Sequence, residues 1–337
     1  DLFGPAVLYA RDLASALTEE SSGSRRRDPE RTLGPVVLRL RGVSVRRGRR
    51  TVLANLDLTV RRGEVVAVGS QVTGLAVGDQ VYGYTGVVAM GTWAEFVVVD
   101  ADALAPAPRS ISLAQAASLP VVALTAWQSL VTIGRLQLGQ TVLVHGGAGG
   151  VGSAVIQLAK HLGATVATTA SASSAETVRQ LGADIIIDYR NEDFVQRLAE
   201  TPVDIVVDTQ GGEITSRSFQ VLRPGGIVVG IAGTPDPSLA DQAGAGPLVK
   251  VALSALSLKV RRQASKLGVR YRFLFIEPDG EALRTIAGLV DDGVIQPVVD
   301  RILPFEQTLA ALDQLLAGGT RGKVLVATSE QEVTAHA

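Results

Sequence analysis

Thr141-Val-Leu-Val-His-Gly-Gly-Ala-Gly-Gly-Val-Gly-Ser153 is the stretch whose reading decides the fold. Val142 to Val144 is a short apolar strand. Gly147, Ala148, Gly149, Gly150, Val151 and Gly152 then fit G-x-G-x-x-G. Ser153 to Leu162 reads as a helix, with Val151, Val155, Leu158, Ala159 and Leu162 on one face and Gly163 as its stop. Strand, glycine turn and helix come in the order a dinucleotide site needs. One glycine permits the tight turn, one lets the backbone approach a pyrophosphate, and one lets the helix pack close to the strand. The helix N-terminus offers free N–H groups and a positive dipole end to phosphate. The competing reading is an ordinary glycine-rich turn, and the flanking strand and helix weigh against it.

Downstream, strands at Thr165–Thr169, Ile185–Asp188, Ile205–Asp208, Ile227–Ile231 and Tyr271–Ile276 alternate with helices at Ser174–Leu181, Glu192–Glu200, Glu213–Leu222 and Asp279–Asp292. Apolar strands alternating with helices predict a doubly wound parallel sheet of the Rossmann kind. Pro247 to Lys266 interrupts this pattern. It is apolar and then basic (Lys250, Lys259, Arg261, Arg262, Lys266), with no acid between Asp241 and Glu277. A helix covering the cleft or a subunit contact is favoured there over a membrane-surface helix.

Upstream, short strands with glycine turns (Glu64–Val68, Val77–Tyr84, Gly91–Val99) suggest a small β-barrel. Ile111–Ala117 and Val122–Ile133 read as helices leading into the glycine-rich strand. Pro297–Leu303, a helix at Glu306–Leu316 and a strand at Lys323–Ala327 are expected to rejoin the barrel. The expected domains are a poorly structured tail at 1–35, a barrel-like catalytic domain at 36–121 and 294–329, and a nucleotide-binding domain at 122–293. Val36–Val45 and Thr51–Val60 read as a hairpin around Arg46-Arg-Gly-Arg-Arg50. Twelve arginines lie between Arg25 and Arg62 against Asp28, Glu30 and Asp57. A polyanion patch is one reading, but no interleaved aromatics offer base stacking, so a solvated face is favoured and no specific nucleic acid is expected.

The chain of 337 residues carries a net charge of −1, which gives no global pull toward nucleic acid or membrane. It has no cysteine, which removes disulfides and thiolate-bound metal and fits a reducing, cytoplasmic compartment. His145, His161 and His336 are too scattered for a metal cluster, so no metal site is expected. No apolar run is long enough to span a bilayer.

From Gly63 to Ala327 the chain resembles the zinc-independent medium-chain dehydrogenase/reductases, especially the quinone oxidoreductases such as zeta-crystallin and the enoyl reductases of polyketide synthases. The resemblance rests on Val77-Gly-Asp-Gln-Val81, Gly91-Thr-Trp-Ala-Glu95, Leu119-Pro120 with Leu124-Thr-Ala126, Val144 to Gly152, Leu181-Gly-Ala-Asp184, Leu222-Arg-Pro-Gly-Gly226 and Arg321-Gly-Lys323. It implies a chaperonin-10-like barrel beside a Rossmann domain, with cofactor in the cleft between them, and a possible homodimer. The family's Asn-Pro-x-Asp-type and Pro-Gly-x-Asp-type elements are missing before Gly63, so the N-terminal half of the barrel is atypical. Residues 36–62 instead resemble the opening hairpin of an ATP-binding-cassette ATPase. No phosphate loop follows, since Gly322-Lys323 precedes Val324.

The expected cofactor is NADPH. An NAD site usually carries Asp or Glu at the end of the second strand, and here that strand ends Thr168-Thr-Ala-Ser-Ala-Ser-Ser174. Hydroxyls at Ser171, Ser173 and Ser174 could bond a 2′-phosphate, with Arg179 and Arg190 as candidate charges. The resemblance adds Tyr189 against that phosphate, Thr125 near the carboxamide, Thr209, Gly230 and Ile231 along the nicotinamide, Phe273 to Phe275 as the substrate wall, and Lys323 near the phosphates. For Thr209 and Phe275 core packing is an equal alternative. Without cysteine for zinc, the implied chemistry is hydride transfer to a quinone or an α,β-unsaturated carbonyl. No proton donor is identified; Tyr84 and Tyr271 are weak candidates. The alternative is a protein that binds NADPH without turnover because its substrate wall is replaced.

Overall fold

The structure, a computed structural model, describes residues 65, 68, 69, 72–86, 97–242, 244–317 and 320–327, with backbone alone at 6–7, 38–47, 50–60, 305, 314, 315 and 317. It divides into two units, residues 1–109 with 278–287, and residues 110–277 with 288–337. In the first unit the described strands form three antiparallel pairs. These are β1 (Ala6–Val7) with β5 (Val99–Asp100), β2 (Leu38–Arg47) with β3 (Arg50–Val60), and β4 (Val81–Gly83) with β6 (Leu104–Pro106). The arginine-rich hairpin therefore forms. Among the described residues, however, it pairs with no further strand. Val65, Val81, Val99, Ala103 and Leu104 make a small core. Val65 donates its N–H to the Asp79 carbonyl and accepts from Gly78, closing the Val77–Val81 turn onto it. The expected tail at 1–35, apart from Ala6–Val7, and the Gly91–Phe96 part of a predicted strand lie outside the described residues.

The second unit is built on six parallel strands. They are β7 (Thr141–His145), β8 (Thr165–Ala170), β9 (Ile185–Asp188), β10 (Val203–Asp208), β11 (Leu222–Gly230) and β12 (Arg270–Phe273). Their order across the sheet is β12-β11-β10-β7-β8-β9. The order runs outward both ways from β7 and β10, so the switch point of the doubly wound sheet lies between them. The strands at this crossing are buried on both faces, as Val142, Leu143, Val144, Val206 and Val207 have no exposed surface. The predicted Ile276 end of the last strand comes three residues too late: β12 ends at Phe273 opposite Gly230, and its last bond to β11 is the Leu274 N–H to the Gly230 carbonyl at 2.8 Å.

Helices connect and flank the strands. They are α1 (Leu113–Ala117), α2 (Leu119–Trp127), α3 (Gly150–His161), α4 (Ala175–Gln180), α5 (Phe194–Arg197), α6 (Glu213–Ser218), α7 (Ser238–Gln242), α8 (Pro247–Leu256) and α9 (Leu258–Lys266). Two more, α10 (Gly280–Asp291) and α11 (Thr308–Ala317), follow in the chain. Ser112 and Gln115 form a reciprocal capping box at α1, and Pro120 opens α2. The core under β10–β12 gathers Phe194, Leu198, Phe219, Val228, Val269 and Tyr271.

The sequence reading placed residues 294–329 with the barrel. β13 (Val299–Pro304) and β14 (Lys323–Ala327) pair in parallel, joined through α11, and residues 288–337 group with the Rossmann unit rather than with the barrel. A bridge ties the end of this segment to the glycine loop, where Gly322 donates its N–H to the Ala148 carbonyl at 3.0 Å.

Phe219 is 1% exposed and meets Tyr271 edge-to-face with ring centroids 6.3 Å apart. Phe219→Ala is expected to lower unfolding free energy by about 3–5 kcal/mol, read by chemical denaturation.

Candidate functional site

The glycine loop owes its shape to backbone crowding. The tight turn after β7 falls at Gly146, whose φ is +71°, one residue ahead of the G-x-G-x-x-G run. A Cβ on Gly147 would overlap Thr168 Oγ1 of β8, and one on Gly152 would overlap the Gly146 carbonyl oxygen. Both positions therefore exclude side chains, and α3 lies directly on the turn. The helix begins at Gly150, three residues before the predicted Ser153, and no side chain caps it. Its first closing bond runs from the Ser153 N–H to the Gly149 carbonyl at 2.9 Å. The N–H groups of Gly150, Val151 and Gly152 precede that bond and point out of the helix start. This bare cradle, at the positive end of a twelve-residue helix, fits a pyrophosphate. Lys323 reaches the same place, since a Cβ added to Gly150 would stand 2.8 Å from its Cδ.

His145, Thr209 and Asp208 hold the switch point together. His145 is 1% exposed, with Nδ1 3.3 Å from Thr169 Oγ1 and Nε2 3.0 Å from Ser218 Oγ. Ser218 donates its hydroxyl to the Ile214 carbonyl, so it accepts from His145 Nε2–H. Thr169 Oγ1 accepts the Gly146 N–H at 3.1 Å and donates to Nδ1. The relay is satisfied only by the neutral imidazole with its proton on Nε2. Thr209 donates its hydroxyl to the His145 carbonyl at 2.8 Å and receives Gln210 Nε2 at 2.9 Å. Asp208, fully buried at the end of β10, accepts the N–H groups of Gln210 and Gly211 through Oδ1 and the Thr215 hydroxyl through Oδ2. The sequence reading did not single out Asp208. An acid closing an apolar strand just before Thr209-Gln-Gly-Gly212 is the signal that marks it.

The remaining expected residues occupy the same edge. Gly230 lies in register between Asp208 and Phe273, and Ile231 donates its N–H to the Asp208 carbonyl at 2.8 Å. Phe273 and Phe275 are half-buried, and Phe275 stands beyond the strand end. Thr125 is buried on α2, which packs on α3, and its hydroxyl donates to the Val121 carbonyl at 2.6 Å. Tyr271 is corrected as a proton-donor candidate. Its hydroxyl donates to the Thr234 carbonyl at 2.8 Å, and burial, then Asp208 and Asp236, push its pKa far above the ordinary tyrosine value. Tyr84 lies in the first unit, with its pKa raised by burial.

At the end of β8 the three serines form one cluster, Ser171 Oγ lying 3.0 Å from Ser173 Oγ and 3.1 Å from Ser174 Oγ. β9 lies alongside, with Ala170 paired to Asp188, and Tyr189 is 57% exposed with Arg190 over its ring at 5.6 Å. Arg179 instead pairs with Glu176 at 2.6 Å, which leaves Arg190 as the better-placed of the two candidate charges. A cleft of about 380 Å³ lies beyond the Gly211–Gly212 turn, lined by Gly212, Thr234, Lys259, Gln263 and Tyr271 among others.

Comparison with known proteins agrees with this geometry. Residues 61–109 match the alcohol dehydrogenase GroES-like domain, and residues 181–326 match the zinc-binding dehydrogenase domain. The chain is 34% identical over 276 residues to the mitochondrial NAD(P)H oxidoreductase RTN4IP1 of Danio rerio, covering 80% of this chain and 71% of that one. The chain belongs to the medium-chain dehydrogenase/reductase family. A 2-methylene-furan-3-one reductase of Solanum lycopersicum is 35% identical across 78% of this dehydrogenase/reductase and 61% of the tomato protein. The solved quinone oxidoreductase of Coxiella burnetii superposes with a TM-score of 0.68 at 31% identity, over 82% of this chain and 80% of that chain. The fold is therefore a GroES-like domain plus a Rossmann-type parallel sheet, and the protein is an oxidoreductase that uses a nicotinamide cofactor.

Burial, the largest effect, and then Arg217 hold the His145 imidazole down near a pKa of about 4, against an opposing pull from Asp208. The folded value lies below the unfolded value of about 6.5, so the neutral form stabilises the fold above that pH. Stability is expected to fall as pH drops from about 6.5 to about 4. Urea titrations across that window should show a steeper loss in the parent than in His145→Gln, which cannot titrate.

Proposed function

We propose that the protein is an NADPH-dependent reductase of quinones or α,β-unsaturated carbonyls that works without zinc. The observation that carries the cofactor choice is the end of β8, where three clustered hydroxyls stand in the place an NAD site usually gives to a carboxylate. Ser171, Ser173 and Ser174 would donate to a 2′-phosphate, with Tyr189 beside them and Arg190 adding positive charge. The amides of Gly150, Val151 and Gly152 would bind the pyrophosphate, with Gly147, Ala148 and Gly149 giving it backbone approach and Lys323 adding charge. Thr125, Thr209, Gly230 and Ile231 would border the nicotinamide, and Phe273 and Phe275 would keep water from the acceptor side. When bound, the nicotinamide supplies a hydride. The protein orients it and excludes solvent, so rate comes from positioning. Zinc chemistry of the thiolate-bound kind has no ligands in a chain without cysteine. The 122–293 segment supplies the nucleotide site in this reading.

Purified protein is expected to consume NADPH in the presence of a small ortho-quinone or an enone, with NADH much poorer. Bound NADPH with no acceptor-dependent turnover would instead favour a binding-only protein. Ser171→Asp places a carboxylate against the 2′-phosphate. It is expected to raise KM for NADPH by roughly 10–100-fold, the effect of about one to three kcal/mol of lost charged hydrogen bonding, and to leave KM for NADH within a few-fold.

A further inference from the structure

Between β11 and β12, α8 meets its neighbours α7 and α9 but presents an outer face that stays open among the described residues. No residue of α8 is buried. Leu248 is 85% exposed, Val251 67% and Leu256 61%. Leu248, Val251, Ala252 and Ala255 fall at i, i+3, i+4 and i+7, so one helical face is apolar and open. The sequence favoured a cleft cover or subunit contact for this segment. In the structure α9 walls the 380 Å³ cleft through Lys259, Val260 and Gln263, while the outer face of α8 stays uncovered.

The next helix, α9, is basic. Lys259, Arg262 and Lys266 are exposed at i, i+3 and i+7 of α9 and have no acidic partner among the described residues. No Asp or Glu occurs between Asp241 and Glu277. Among the described residues, Lys250 is the one cation of this segment neutralised by an acid, Asp241 at 2.7 Å. An exposed apolar helix leading into an unneutralised basic stripe is complementary to an anionic lipid surface, whose hydrocarbon boundary takes leucine and valine and whose headgroups attract lysine and arginine. A second copy of this chain is a poorer occupant, because an isologous contact of this segment with itself offers the basic stripe no acid, none lying between Asp241 and Glu277. Nucleic acid offers phosphate but nothing for Leu248 and Val251. No helix among the described residues is long and apolar enough to cross a membrane, so any such contact is peripheral.

We propose that α8 and α9 form a peripheral docking surface for anionic membranes. Leu248 and Val251 enter the interface, and Lys259, Arg262 and Lys266 lie over the headgroups. The test is co-sedimentation of the full chain with phosphatidylcholine vesicles and with vesicles of phosphatidylcholine and phosphatidylserine. Binding is expected only to the anionic vesicles and to weaken with salt. The triple variant Lys259→Glu, Arg262→Glu, Lys266→Glu should bind at least roughly a hundredfold more weakly, at about fivefold for each basic residue lost. Leu248→Asp with Val251→Asp should abolish binding while keeping the parent's thermal unfolding, since neither side chain is buried. Equal binding to both vesicle types, or unchanged binding by either variant, would overturn the proposal. So would a dimer in sedimentation that the aspartates dissociate, or heparin binding that the aspartates do not alter while vesicle binding is absent.

Discussion

The nucleotide-binding half of this molecule depends on one close approach, that of the start of α3 to the turn at Gly146. Side chains at Gly147 and Gly152 would overlap Thr168 and the Gly146 carbonyl. Glycine there costs backbone entropy on folding. It also lets the helix begin at Gly150 with its first amides bare. The helix dipole and those amides converge where the sheet's strand order reverses. Such a crevice is the favoured ligand position of open α/β sheets.

A buried polar network keeps that crevice rigid. Gly146, Thr169, His145, Ser218 and Ile214 form a chain in which each proton has one acceptor. Thr209 and Asp208 tie β10 to the same point. Fully satisfied networks of this kind specify geometry, whereas partly satisfied ones destabilise it. A neutral His145 belongs to the fold, and its burial gives no sign of a catalytic base. The same holds for Tyr271, whose hydroxyl is committed to a carbonyl.

Much of the sheet was legible because buried parallel strands are short apolar runs, and β9 and β14 begin and end where the pattern changes. The start of α3 was not, since glycine's low helix propensity moves a sequence-based boundary to Ser153. The sequence reading grouped residues 294–329 with the barrel; their bridge from Gly322 to the glycine loop is a backbone contact across more than a hundred residues, with no sequence pattern of its own. The serine cluster and Lys323 were readable as residues, but their convergence on β9 and on Gly150 required the fold. Asp208 was hidden because a strand-terminal acid usually meets solvent, and only the tertiary turn after it supplies its donors.

The proposed NADPH preference requires the backbone cradle and the serine cluster together to select a 2′-phosphorylated dinucleotide. Titration of the protein with 2′,5′-ADP and with 5′-AMP tests it without any contribution from nicotinamide or acceptor. 2′,5′-ADP is expected to bind at least about tenfold tighter, one or two charge-assisted hydrogen bonds' worth. Equal affinity, or tighter binding of 5′-AMP, would contradict it.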